Sequence, residues 1–180
     1  PRSVDGLPGG IDGSVTTFAV VSGVAGAGLP SSIILILGIA NLVADGFSMA
    51  ASNYSGTRTE KQEIEALRAQ ERRHIAVNPE GEREEVRQIF AARGFAGPDL
   101  ERAVTVVTAD EERWIRFMLT EELGQPSHVR SAVMAGLSTF SAFALCGFVP
   151  LIPFLLGLTR AFESSLVATL AVFFAIGSAK

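Results

Sequence analysis

The second apolar stretch of the chain, Ser31 to Tyr54, is long enough to cross a bilayer, yet it carries Asn41, Asp45 and Met49 at steps of four residues. A spanning helix needs ~20 apolar residues, and in a helix a step of four stacks side chains on one face. A carboxylate inside such a segment is costly in hydrocarbon, so it faces a pore, a cavity or a partner. Asn41, Asp45 and Met49 join hard oxygen to soft sulfur, a donor mix that suits a borderline divalent metal better than a sugar or an anion. The stripe predicts a membrane protein that handles a metal ion.

The charge distribution divides the chain. Residues 58–130 hold twelve of its fifteen basic and fifteen of its nineteen acidic residues. Outside that block the acids are Asp5, Asp12, Asp45 and Glu163. A composition 48% apolar but still 19% charged fits this picture of a polar insert between two apolar halves. The lone Cys146 sits in an apolar run and reads as a small buried side chain, with no disulfide framework or cysteine metal motif. The two histidines, His74 and His128, have no local Ser or Cys partner, and no phosphate-binding loop is present, so the chain does not read as an enzyme. Acids outnumber bases in the insert, which argues against a nucleic-acid partner. The opening PRSVDGLPGG lacks the pattern of a secretory leader, and both ends read as clipped from a longer protein.

These features predict an all-α polytopic membrane protein with four visible spans and a helical cytoplasmic insert between spans two and three. The spans are expected from about Gly10 to Leu29, Ser31 to Tyr54, His128 to about Leu156, and Phe162 to Ala179. The corresponding domains are 10–54, a hairpin closed by Leu29-Pro30-Ser31; 55–127, the insert; and 128–180, the last two spans. Gly23, Gly26, Gly28 and Gly136 are small enough for close helix approach, with plain packing as the simpler role. Pro150 and Pro153 should bend or end the third span. Arg58, Lys61 and Arg130 near the span ends place the insert in the cytosol and leave Arg160 and Glu163 in a short outer turn.

The insert reads as helical throughout. Glu60 to Ile75 continues the second span, with Ile64, Leu67 and Ile75 on one side. Asn78-Pro79-Glu80 starts a helix, Asn as cap and Pro at its first position, that turns Val86, Ile89 and Phe90 inward and stops at Arg93-Gly94. A short helix covers Pro98 to Val107. Thr108-Ala109-Asp110-Glu111 makes a capping box for the last, which ends at Gly124 with Trp114, Ile115, Met118 and Leu119 as its apolar side. Three of these helices carry paired donors one turn apart: Glu71 with His74, Glu82 with Glu85, and Met118 with Glu122. If the helices bundle, the pairs converge on a site suited to Fe(II), Mn(II), Co(II) or Zn(II) rather than Ca(II) or Mg(II). Solvated glutamates and a core methionine are the plainer reading of the same residues. In the membrane, Asp12 reads as a helix cap or a path residue, Asn41 as an interhelical hydrogen-bonding or path-lining residue, and Asp45 as functional.

The run Asp12-Gly13-Ser14-Val15-Thr16-Thr17-Phe18-Ala19-Val20-Val21-Ser22-Gly23 closely resembles the opening span of the vacuolar iron transporter family, which includes the yeast vacuolar iron/manganese carriers and nodulin-21-like proteins. Ala40 to Met49 resembles the second span, Glu121-Glu122-Leu123-Gly124 the end of the insert, and Val149-Pro150-Leu151-Ile152-Pro153 the third span. The resemblance implies a homodimer of five-span protomers, with a metal-binding domain between spans two and three and a fifth span beyond this chain. It implies export of Fe(II), and often Mn(II), from the cytosol in exchange for protons, with no permanently bound cofactor. Asp12 and Met49 match translocation-path ligands; Glu71, Glu82, Glu85, Met118 and Glu122 match the cytoplasmic cluster. Asn41 stands where the plant-type pattern has a glutamate, with Asp45 one turn on. His74 stands where the pattern has another cluster glutamate, and Leu119 where it has a second methionine. A histidine ligand shifts preference towards later transition metals and weakens binding as pH falls through the imidazole pKa, ~6.5 unperturbed. The expected location is a plasma membrane in a bacterium, and a vacuolar or other endomembrane in a eukaryote. The rival reading is a membrane-anchored metal sensor or storage-associated protein without transport.

Overall fold

The computed structural model describes residues 6–126 and 130–178, with the side chains of 6–8 left aside. Among them every regular element is helical. In chain order these are α1 (Gly6–Gly26), α2 (Ser31–Val77), α3 (Pro79–Ala92), α4 (Gly97–Thr108), α5 (Glu111–Glu121) and α6 (Ala132–Phe148). A 3-10 turn (Val149–Leu151), α7 (Ile152–Leu155) and α8 (Ala161–Ser178) complete the chain. The chain forms two compact units, residues 1–57 with 130–180, and Arg58–Val129.

In the first unit Val21, Val24, Ile34, Leu42, Phe143, Leu151 and Phe154 form the buried core, with Met49 packed against it. Among the described residues three helical stretches are long and apolar enough to cross a membrane: α2, Ala132–Leu155 and α8. α1 has 21 residues, but its apolar run is diluted by Asp12, glycines and hydroxyl side chains, and it is not one of the three. On α2, Ile36, Val43 and Phe47 are each 60% exposed or more. Only a hydrophobic surrounding makes such a surface tolerable.

The α1–α6 crossing is made by backbone. A Cβ added to Gly13 would strike the Phe143 carbonyl, and one added to Gly147 would lie 2.7 Å from the Gly13 oxygen. Ser14 reinforces this crossing by donating its hydroxyl to the Gly10 and Cys146 carbonyls at 3.0 and 3.1 Å. Gly136 is tight as expected, since a Cβ added there would lie 3.0 Å from the Ala50 oxygen. Gly23, Gly26 and Gly28 are not: nothing lies within 4 Å of a Cβ at any of them. They fall in the last turn of α1 and the following loop, past the crossing, where Gly28 supplies a φ of 69° for the turn into α2.

The second unit follows the local signals closely. α2 continues as one 47-residue helix to Val77. Asn78 caps α3 by accepting the Gly81 amide, and Gly94 at φ 91° follows its end. Val86, Val104, Trp114 and Met118 form its core, with Ile75, Ile89 and Phe90 packed on them. One cap differs from expectation. Thr108 belongs to the last turn of α4, where its hydroxyl donates to the Val104 carbonyl, and Asp110 caps α5 by accepting the Arg113 amide at 2.8 Å. Thr108 is still helical and its hydroxyl already committed, so the carboxylate two residues later takes the free amide. The last helical residue of α5 is Glu121, and Gly124 at φ 63° turns the chain away after it, with the Gln125 amide donating back to the Leu119 carbonyl at 2.8 Å. The predicted starts and ends at His128 and Ala179 lie outside the described residues.

Candidate metal centre

In the second unit, one turn of α2 presents Glu71 and His74 together, and the break at Asn78 lets α3 return Glu82 to them. His74 Nδ1 lies 3.9 Å from Glu71 Oε2 and 3.8 Å from Glu82 Oε1. Glu71 is 4% exposed and Glu82 7%, although both carry a carboxyl. Glu71 Oε1 is buried with no hydrogen-bond partner. A buried, unsatisfied carboxylate is expensive unless a proton or a cation answers it.

The electrostatics identify the rest of the group. Burial raises the Glu71 carboxyl to about 7, assisted by Glu82 through charge and hydrogen bonding and then by the charges of Glu122 and Glu85. Glu122 is also raised, first by burial, then by Glu85 and Glu82, with His74 pulling the other way. The carboxyls of α2, α3 and the end of α5 therefore feel one another as a set. Met118, four residues before Glu122, is fully buried in the same unit. Glu71, His74, Glu82, Glu85 and Glu122 thus act on one another, while Met118 packs in the apolar core with Val86, Val104 and Trp114. Among the described residues, however, no three or more His, Cys, Asp or Glu side chains stand in metal-holding geometry, so the group is convergent but open.

Ion pairs on the outside brace this cluster. Arg68 reaches Glu112 at 3.1 Å, and Arg72 pairs with Glu111 at 2.7 Å and with Glu112, tying α2 to α5. Arg93 at the end of α3 pairs with Glu121, next to Glu122. These arginines face acids outside the cluster and leave its carboxylates without a basic partner from this set. Sequence reasoning missed this division of the acids, because helix periodicity does not show which glutamates a neighbouring helix supplies with arginine.

The intramembrane candidates are arranged differently. Asn41, Asp45 and Met49 are all half-buried on one face of α2, as their spacing requires, while Val43 and Phe47 face outward. Asp12 is exposed on α1. The link between the helices is Asn41, whose amide donates to the Thr16 hydroxyl at 3.3 Å; that hydroxyl donates to the Asp12 carbonyl at 2.9 Å. Asn53 continues the α2 stripe by one further step of four, and its amide donates to Thr139 Oγ1 at 2.6 Å and to the Ala135 carbonyl at 3.3 Å. Thr16 and Asn53 were missed; for Asn53 the signal was there, since it extends the stripe 41, 45, 49.

Comparison with known proteins places the chain. The model of the VIT family matches residues 5–180. A vacuolar iron transporter of Toxoplasma gondii is 34% identical over 154 residues, covering 82% of this chain and 50% of that protein. Vacuolar iron transporter 1 of Arabidopsis thaliana is 31% identical over 172 residues, 94% of this chain and 69% of the relative. A vacuolar iron transporter of Plasmodium berghei is 28% identical over 181 residues, 94% and 66% respectively. The chain thus spans half the length of the Toxoplasma protein and about two-thirds of the other two. The chain belongs to the VIT family.

Proposed function

We propose that this chain is the metal-handling part of a divalent-cation transporter that moves Fe(II) or Mn(II) out of the cytosol in exchange for protons. The observation that carries the reading is the buried carboxyl group of Glu71, which shares its surroundings with Glu82, Glu85, Glu122 and His74. In this reading the second unit faces the cytosol and captures the cation. α1 joins α2, Ala132–Leu155 and α8 as a fourth span, and a second copy completes a homodimer. Asp12, Asp45 and Met49 carry the ion across, and Asn41 lines the path beside them. The membrane is a vacuolar or other endomembrane in a eukaryotic cell, and the plasma membrane in a bacterium.

The chemistry of capture follows from the raised carboxyl. Glu71 keeps a proton to about pH 7, while a divalent cation binds the carboxylate, so metal entry expels that proton. The path carboxylates Asp12 and Asp45 must likewise be deprotonated to hold the ion, so protonation from the acidic side of the membrane releases it there. Met118 adds a soft donor that discriminates against Ca(II) and Mg(II).

Reconstitution into proteoliposomes tests the reading. Metal flux is expected to respond to an imposed pH gradient and to be lost in Asp12→Ala and Met49→Ala while metal binding persists. Flux indifferent to the gradient would refute the proton exchange. Tight binding with no flux under any gradient would instead favour an anchored sensor or storage-associated protein.

A further inference from the structure

His74 is the one nitrogen donor among the five carboxyl and imidazole groups of the cluster, and its placement gives that nitrogen a role. We infer that His74 is a specificity-determining ligand that tilts the site towards Co(II), Ni(II) and Zn(II) and away from Mn(II). The inference rests on the proposal that this cluster binds a cation.

Two ligands on one metal with bonds of ~2.1 Å stand ~3.0 Å apart at a right angle and ~3.4 Å apart in a tetrahedron. His74 Nδ1 is 3.9 Å from Glu71 Oε2 and 3.8 Å from Glu82 Oε1, too long for hydrogen bonds and within a small side-chain rotation of a shared cation. Both carboxylates come from buried residues, and Glu71 Oε1 has no partner at all. The imidazole side chain is 50% exposed, so it can turn towards them without disturbing the core. His74 is held in reach by its position three residues after Glu71 on α2, and Glu82 is delivered by the Asn78 cap.

The consequence follows from ligand preference. All-carboxylate sites suit Mn(II), whereas an imidazole nitrogen strengthens binding along the series from Mn(II) to Ni(II) and in Zn(II). A purely solvated His74 would leave relative affinities untouched.

The test is competition with a fluorescent chelator, using the full chain in detergent and Mn(II), Co(II), Ni(II) and Zn(II) in turn. In His74→Glu, the ratio of Co(II) to Mn(II) affinity is expected to fall tenfold or more, with Ni(II) and Zn(II) moving the same way. His74→Gln, which keeps size and polarity without adding charge, should lower Co(II) affinity more than Mn(II) affinity. The visible absorption of bound Co(II), which reports nitrogen in its coordination sphere, should change in both variants. Tight binding with ratios and Co(II) spectrum unchanged overturns the inference and leaves the binding site standing. No binding of any of the four ions by the parent chain overturns the site and the inference together.

Discussion

Replacing Glu71 by Gln should make the second unit more stable above pH 7, although it removes a residue from its interior. The carboxyl titrates at about 7 in the fold against an ordinary 4.5. Because the folded-state pKa is raised, the fold binds this proton more tightly than the unfolded chain does. Its contribution is complete below about pH 4.5 and is lost as pH rises to about 7. At ~1.4 kcal/mol per tenfold change in proton affinity, the loss amounts to about 3 kcal/mol at most. Glutamine has nearly the same shape and never ionises, so it avoids this loss. The assay is urea unfolding of the full chain in detergent from pH 4.5 to 8.5, followed by Trp114 emission. Trp114 is the single tryptophan and lies 4% exposed in the core of this unit, so its emission reports that unit. The two proteins should be close in stability at pH 4.5, and Glu71→Gln should lead by up to about 3 kcal/mol at pH 8. Saturating Co(II) should erase or reverse that lead, since the cation neutralises Glu71 but finds no charge on Gln. A variant no more stable than the parent at pH 8, or a gap that does not widen with pH, would refute the assignment of Glu71 as the strained acid.

Gly147→Ala should lower the thermal stability of the first unit by about 1–3 kcal/mol, because the new Cβ falls 2.7 Å from the Gly13 oxygen and backbone must move. Gly23→Ala should be near neutral by the same measurement, since its Cβ meets nothing within 4 Å. Asn53→Leu should cost about 1 kcal/mol through the lost bonds to Thr139 and Ala135, measured by unfolding in a mild detergent. Arg72→Ala removes two exposed ion pairs and should leave the unfolding midpoint almost unchanged, an effect that shrinks further with added salt.

Much of the fold was legible because its signals are local. The cap at Asn78, the glycine stops and the proline break after Phe148 act through backbone groups a few residues away. The paired donors of the insert were legible for the same reason, since helical spacing alone puts Glu71 with His74 and Glu82 with Glu85. The capping misassignment at Thr108 arose where two local signals competed within three residues, and the hydroxyl had already been taken by α4.

What the sequence determined by itself was the all-helical architecture, the separation of an apolar from a charged part, and the polar stripe on α2. These depend on periodicity and composition, which every residue carries with it. Only the tertiary structure decided which glycines form the α1–α6 crossing, which glutamates are paired with arginines, and which are left to raise one another. Those outcomes depend on the distance between side chains far apart in the chain. The clearest case is Glu71: its spacing from His74 made it a ligand candidate, but burial beside Glu82, Glu85 and Glu122 is what holds its proton to near neutral pH.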